Sequence, residues 1–246
     1  MMLFNADLHI HTVASPCGDL EMSPANILRK AVEANLQIIG IADHNCTKQA
    51  PLVQRLAREE GILALMGAEV TTREEIHCLC FFETETALSI FQEFIEDKLP
   101  KIPLDSSIFG YQVIVNEIEE IEEELPFLLI TGLDASIDDV ERKVHELNGI
   151  FIPAHIDKSR YSIISQLGFI PFDLPYDALE VTDKALISQI LKRFPYLIGK
   201  TFIKNSDSHY IDGIGTVKTI FHIETPTFEE VSMALKSQNG RYVSFL

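Results

Sequence analysis

The sequence predicts an α/β fold built on a mostly parallel sheet or barrel, and three observations carry that reading. Short apolar runs alternate with amphipathic segments along all 246 residues, the pattern of repeated strand–helix units. Hydrophobic residues make up 46% of the chain, enough for a substantial buried core. Several of the apolar runs end on a histidine or an acid, as strands do when their ends form a reactive rim. The length fits one large domain, 1–246, better than two.

Composition narrows the setting. No apolar run approaches the roughly 20 residues of a membrane span, so no membrane partner is expected. The N-terminus lacks a basic stretch followed by an apolar one and a small-residue cleavage site. Four cysteines, at 17, 46, 78 and 80, do not make the dense framework of a secreted mini-domain. Reduced thiols and a cytoplasmic location are the expectation. The formal charge is −17, from 37 acidic and 20 basic residues. Such a field repels nucleic acid and predicts no duplex nucleic-acid partner. It stays compatible with a small phosphorylated substrate, because bound divalent cations reverse the potential locally.

In chain order, 3–8 reads as a strand, and Ser23-Pro24 supplies the cap and first-turn proline of a helix to about 34. A buried strand over 37–42 ends at Asp43-His44-Asn45, and a helix over 49–60 stops at Gly61. The strand 62–70 carries Glu69 near its end. The connection 71–75 is too short for a parallel crossover, so 76–82 should return as a hairpin and bring His77 beside Glu69. A helix follows over 84–99. The segment 100–112 is irregular, with two prolines and a glycine, and reads with the following acidic run as a loop lying over the barrel from 100 to 126. The acidic run 117–124 is most simply a solvated helix face or turn, with cation binding as the alternative. Ser136 opens a capped helix to 147, and Asn148-Gly149 ends it. Strands at 150–154, 179–181, 201–204 and 219–223 follow, with helices at 185–193 and, capped by Thr227, to about 237.

The chemistry is concentrated in Asp7-Leu8-His9-Ile10-His11-Thr12. Strand alternation would put Asp7, His9 and His11 on one face, first material for a transition metal. Alone, two such histidines could equally be hydrogen-bonded core or surface residues. The histidine census breaks the tie. Of eight histidines, those at 9, 11, 44, 155 and 209 lie at or just after predicted strand ends, and His77 joins them through the hairpin. Asp7, Asp43, Glu69 and Asp207 travel with them. His145 and His222 lie inside a helix and a strand and read as structural or surface residues.

Asp-Leu-His-Ile-His-Thr, Ala-Asp-His-Asn, Gly-Ala-Glu-Val, Pro-Ala-His and Ser-Asp-Ser-His, in that order, resemble the signature blocks of the PHP (polymerase and histidinol phosphatase) family. The resemblance implies a distorted (β/α)7 TIM-like barrel with two or three divalent metal ions that hydrolyses phosphate esters. One metal would sit on His9, His11, Glu69 and Asp207. A second would share Glu69 and add His77 and His155. A third would take His44 and His209 plus a ligand after His11, where this chain reads Ser15-Pro16-Cys17-Gly18-Asp19. Cys17 and Asp19 are the alternatives, and a small buried free cysteine is the other reading of Cys17. Asp7 and Asp43 are expected to orient imidazoles by hydrogen bonds.

Mixed imidazole and carboxylate ligands suit Zn, Mn or Fe. Such a centre activates water for attack on phosphorus, so no side-chain nucleophile is needed. Asp207 and His209 are the candidates for relaying protons. Lys158-Ser159-Arg160-Tyr161, just past His155, is the basic cluster placed to bind phosphate through Lys158 and Arg160, or else a solvated loop. The expected substrate is a phosphate monoester of a small metabolite or nucleotide. Short oligonucleotides are the rival substrate, and a non-catalytic metal-binding module is the rival of another class.

Overall fold

Strands β1 (Met2–Ile10), β2 (Ile38–His44) and β3 (Leu63–Thr71) run parallel in sequence order, joined by helices α1 (Pro24–Glu33) and α2 (Ala50–Glu59). The computed structural model describes residues 1–245. The Ser23 hydroxyl accepts from the Asn26 amide and Pro24 opens α1, as the sequence predicts. Strand β4 (His77–Phe82) pairs antiparallel with β3, and His77 lies opposite Thr71. The hairpin read from the short 71–75 connection is therefore present.

After α3 (Glu85–Lys98) come the short helix α4 (Ser106–Phe109) and the hairpin of β5 (Val113–Val115) and β6 (Ile121–Glu124). The acidic run is a turn followed by an exposed strand, not a helix face. The Asn116 side chain accepts from the Ile118 and Glu120 amides and so holds that turn. The hairpin is seated on the loop after β1, where the Val113 amide donates to the Val13 carbonyl at 3.1 Å. Helix α5 (Ile137–Glu146), with the predicted Ser136–Asp139 capping box, leads to β7 (Ile150–Pro153), which pairs antiparallel with β4. The remaining elements are α6 (Ile163–Leu167), β8 (Leu179–Glu180), α7 (Ile187–Arg193), β9 (Phe202–Ile203), β10 (Thr219–Ile223), α8 (Phe228–Leu235) and β11 (Tyr242–Phe245).

The main sheet has seven strands in the order β11-β10-β1-β2-β3-β4-β7. It is mixed α/β and curled, but it is open, where a mostly parallel sheet and a closed seven-stranded barrel were expected. Strands β4, β7, β10 and β11 all run antiparallel to their neighbours. Two-residue strands β8 and β9 form a separate parallel pair, too short to carry continuous ladders to either side. A few hydrogen bonds tie their surroundings to both flanks. Ile156 donates to the Glu180 carbonyl at 2.8 Å beyond β7, and His11 donates to the Ser208 carbonyl at 3.0 Å beside β1.

Alternation along the strands separates two apolar layers. Ile39, Ile41, Ala64, Met66 and Phe82 pack with the helices, while Leu8, Ile38, Leu65, Leu79 and Ile152 fill the concave side. Gly40 and Gly67 let the strands curl around that side. A Cβ at Gly40 would lie 2.4 Å from the Leu8 carbonyl oxygen, and one at Gly67 2.1 Å from that of Cys80. Glu69 follows Leu65 and Gly67 at period two, so it caps the concave layer at the rim. Among the described residues, no helix is long and apolar enough to cross a membrane.

Candidate metal centre

Glu69 stands at the middle of the rim, almost fully buried. Its Oε1 lies 2.9 Å from His77 Nδ1, 3.2 Å from His155 Nε2 and 3.3 Å from His9 Nε2. Its Oε2 lies 3.0 Å from His44 Nδ1 and 3.6 Å from His11 Nε2. Asp207 Oδ1 is 3.3 Å from His9 Nε2 and 3.4 Å from His11 Nε2. The His209 ring stacks on that of His11 with centroids 3.9 Å apart. The six rim histidines and both carboxylates expected from the sequence thus converge. His145 and His222 lie apart from them, hydrogen-bonded to Glu141 and Ser244.

Three donor groups have their atoms mutually within 4.8 Å: His9, His11, Glu69 and Asp207; His44, Glu69 and His77; and His11, His44 and His209. The first is the quartet expected from the resemblance. The second brings His44, rather than His155, to the Glu69–His77 pair, although His155 also reaches Glu69.

The donor set fits cations. His9 Nε2, His11 Nε2, His44 Nδ1, His155 Nδ1 and Glu69 Oε2 are buried without a hydrogen-bond partner among the described residues. A buried polar atom left unpaired is costly, and four of these, on His9, His11, His44 and Glu69, belong to donor groups suited to a cation, whereas His155 turns its other nitrogen, Nε2, to Glu69. Local backbone geometry aims two of the side chains. His155 and Asp207 are left-handed, with φ of 30° and 53°, a conformation uncommon outside glycine that clusters at functional sites.

Charge is uneven across the cluster. Burial opposes ionisation of Glu69, but His77, His9 and His44 hold its carboxyl well below the usual range. Burial works against protonation of His9 too, yet Glu180, Asp207 and Glu69 raise it well above a free imidazole. For His11, burial and the neighbouring His209 and His44 both act downward and keep the ring neutral, the form that binds metal.

Two orienting groups work differently from expectation. The register of β1 against β2 shifts between Asp7 and Ile10, so simple alternation fails and Asp7 does not face an imidazole. Its carboxylate accepts from the Ser206 amide at 3.0 Å and the Gly215 amide at 2.9 Å, fastening the loop that carries Asp207 and His209. Asp43 accepts from the Ser15 hydroxyl at 2.6 Å, and Ser15 Oγ lies 3.0 Å from His11 Nδ1. Asp43 therefore reaches His11 through Ser15.

Glu180 was missed in the sequence. Its carboxylate meets His9 Nδ1 at 3.1 Å and accepts from the His155 amide and Asn205 Nδ2, each at 2.8 Å. The available signal was an acid inside the apolar strand 179–181, where a buried charge requires partners.

Cys17 is exposed. Burial raises its thiol, and hydrogen bonds from His209 and His44 outweigh that and bring it down to about 6. Asp19 is also exposed, and its side chain accepts from the Glu21 amide at 2.8 Å, closing a turn. Of the two alternatives for the third position, only Cys17 is coupled to His44 and His209, and it is not among the donors that lie mutually within 4.8 Å. Lys158 lies at the mouth with Nζ 2.5 Å from Asp207 Oδ2. Arg160 and Tyr161 line the same cavity of about 300 Å³, and the Tyr161 ring stacks on His77 at 4.8 Å.

Comparison with known proteins agrees with this picture. The PHP domain model matches residues 7–124, which bears out the resemblance in the sequence blocks. The chain is 27% identical over 277 aligned positions to the uncharacterized protein YqxK of Bacillus subtilis (strain 168), covering 97% of this chain and 63% of that protein. Endonuclease Q of Pyrococcus furiosus, a lesion-specific endonuclease, shares the fold with a TM-score of 0.67 at 21% identity, over 98% of this chain and 58% of that one. Endonuclease Q bound to a 27-mer duplex with an abasic lesion at its active site matches with a TM-score of 0.64, at 21% identity and the same coverage. The chain thus spans about three-fifths of the length of these relatives.

These findings correct the exclusion of duplex nucleic acid drawn from net charge, because a protein of this fold holds a duplex at its active site. Net charge sums over the whole surface, whereas binding senses the local field. Six of the 37 acidic residues lie together at 117–124, and Lys158 and Arg160 stand at the cavity.

Proposed function

We propose, from the premise that residues 7–124 belong to the PHP domain family, that this protein is a metal-dependent hydrolase of phosphate esters. The observation that carries the reading is the set of unpaired imidazole and carboxylate atoms converging on Glu69. In this reading His9, His11, Glu69 and Asp207 hold one divalent cation, and Glu69 with His77 and His155 holds a second. His44, His209 and Cys17 hold a third. Zn, Mn or Fe at such ligands would supply Lewis acidity toward phosphoryl oxygens and lower the pKa of water.

The chain's own residues do the rest. Glu180 and the Asp43–Ser15 pair fix the rings of His9 and His11, so their Nε2 atoms point into the hollow without searching rotamers. Asp207, held strongly ionised against burial by His9 and His11, suits a ligand role better than a proton relay at neutral pH. His209 donates from Nδ1 to the Asp207 carbonyl at 3.1 Å, which leaves Nε2 as its functional atom. Lys158 is the ammonium that meets an entering phosphate, with Arg160 beside it offering a bidentate fork.

A phosphate monoester of a small metabolite or nucleotide is the substrate we favour. Cleavage of a phosphodiester within nucleic acid is the second reading, supported by the duplex complex of a chain with this fold. Metal content of the purified protein, measured with phosphate release from sugar phosphates, histidinol phosphate and nucleotides and with strand cleavage of an abasic duplex, tests both. Bound Zn, Mn or Fe with hydrolysis of at least one substrate is the expected result. Absence of both phosphate release and strand cleavage with every metal and substrate overturns the hydrolase reading.

A further inference from the structure

A cavity of about 220 Å³ lies where the β2–α2 loop, the end of α3 and the 123–129 segment meet, and it shares no lining residue with the Glu69 cavity. Cys46, Leu99, Leu125 and Leu129, all buried, form its apolar floor. Four charged side chains line it as well, and three of them satisfy one another. Lys48 Nζ lies 2.8 Å from Glu123 Oε1 and 3.4 Å from Glu96 Oε1. Lys101 is the remaining charge. Its ammonium donates to the Glu96 carbonyl at 2.6 Å and sits 5.1 Å from the Phe127 ring centroid. No carboxylate pairs with it among the described residues, and an ammonium has further N–H donors for an incoming acceptor.

One wall of this cavity is tied to the metal centre. Asn45, fully buried, follows His44 directly and is left-handed, with φ of 43°. Its Nδ2 donates to the Leu129 and Thr131 carbonyls at 2.6 and 2.8 Å. Its Oδ1 accepts from the Thr71 amide at 3.0 Å, and its own amide donates to the Glu69 carbonyl at 3.0 Å. Leu129 thus belongs both to the cavity and to the bonds that hold the backbone beside His44 and Glu69. We propose that the cavity is an effector site for a small carboxylate with an apolar body, coupled to the metal centre through Asn45. The body covers the leucine floor, and the carboxylate meets Lys101 in a charge-assisted hydrogen bond. The volume lies below that of drug-sized sites, which limits the ligand to a short chain or a single ring. A filled cavity pins Leu129 and, through Asn45, the spacing of His44 and Glu69. Metal then meets preorganised ligands and binds more tightly, and by linkage it tightens the carboxylate equally. The coupling, though not the site, rests on the metal-centre reading above.

Titration calorimetry on the full, metal-loaded chain reads the site, with hexanoate, benzoate, acetate and hexylamine as probes. Hexanoate or benzoate should bind saturably. Acetate lacks the apolar body and hexylamine the negative charge, so neither should. Lys101→Ala, at an exposed position, should weaken binding about tenfold or more. Competition against a chelating dye then reads metal affinity, which saturating hexanoate or benzoate should raise about fivefold or more. Acetate carries the same carboxylate to the metal without the body and should give no such gain. In Lys101→Ala the gain should need correspondingly more probe. No saturable binding, binding unchanged in Lys101→Ala, or an equal gain with acetate overturns the site. Metal affinity unmoved by a bound probe overturns the effector role. A chain that takes up no metal fails the hydrolase reading by itself, and calorimetry on that chain still decides the site.

Discussion

His9 is gripped from both ends. Its Nδ1 meets Glu180 at 3.1 Å, and its Nε2 is left free toward Glu69 and Asp207. The same Glu180 carboxylate accepts from the His155 amide and from Asn205, whose own Oδ1 accepts from the Leu8 amide at 2.7 Å. One buried acid therefore sets an imidazole tautomer, the turn after β7 and the approach of the 205–209 loop to β1. Glu180→Gln keeps the shape but replaces an acceptor oxygen by an amide NH2 facing donors. Metal affinity should fall by about 10–100-fold, as is usual when a group orienting a ligand is altered. Competition against a chelating dye reads this, with far-UV circular dichroism expected to stay the same. An unchanged affinity would show that His9 needs no such support.

Helix α5 illustrates control at the scale of an element. Asp177 accepts from the Phe151 amide of β7 at 2.7 Å, pairs with Lys236 beyond α8 at 3.2 Å, and meets His145 Nε2 at 3.4 Å. The hydrogen bond to Asp177 raises the His145 imidazole above its ordinary value, opposed by burial and reinforced by Glu141. Because the folded value is raised, this stabilisation is complete below the unfolded value of about 6.5. It decays as pH climbs through the higher folded value. The Tm should therefore drop between pH 6 and pH 9 by more in the natural chain than in His145→Gln. A difference of about 1 kcal/mol, or roughly 2–4 °C at this size, is expected, and parallel melting curves of the two proteins over that range would refute it. Elements also show what the sequence could reveal. Period-two alternation and the short 71–75 connection exposed β2, β3, β4 and the Glu69–His77 meeting, since each depends on local spacing. The register slip in β1, the left-handed turns at His155 and Asp207, and the two-residue strands β8 and β9 depend on distant partners. No local pattern announces them, and the expected role of Asp7 failed for that reason.

At the scale of the whole molecule, the centre links metal binding to the stability of the fold. Six imidazoles crowd Glu69 and Asp207, and several of their atoms are unpaired. Cations that bind only the folded chain then stabilise it by mass action. At free metal about a thousandfold above its Kd this amounts to about 4 kcal/mol, or roughly 8–16 °C in Tm. Calorimetry before and after dialysis against a chelator measures it, and an unchanged Tm would mean that the hollow holds no metal. The single bridge between Ile10 and Ser208 has its own consequence for how the protein comes into being. Ser208 donates to the His9 carbonyl and accepts from the His11 amide, so the first pair of ligands meets its partners only when the chain has closed over about two hundred residues. Closing such a loop costs about 5 kcal/mol of chain entropy. During synthesis the gap between His11 and Asp207 takes roughly 10–40 s to traverse. For all that interval the quartet lacks Asp207, although His44, Glu69 and His77 are made well before it. Completion of the quartet is thereby a late event in the life of each molecule, and it waits on the folding of the two hundred residues between its members.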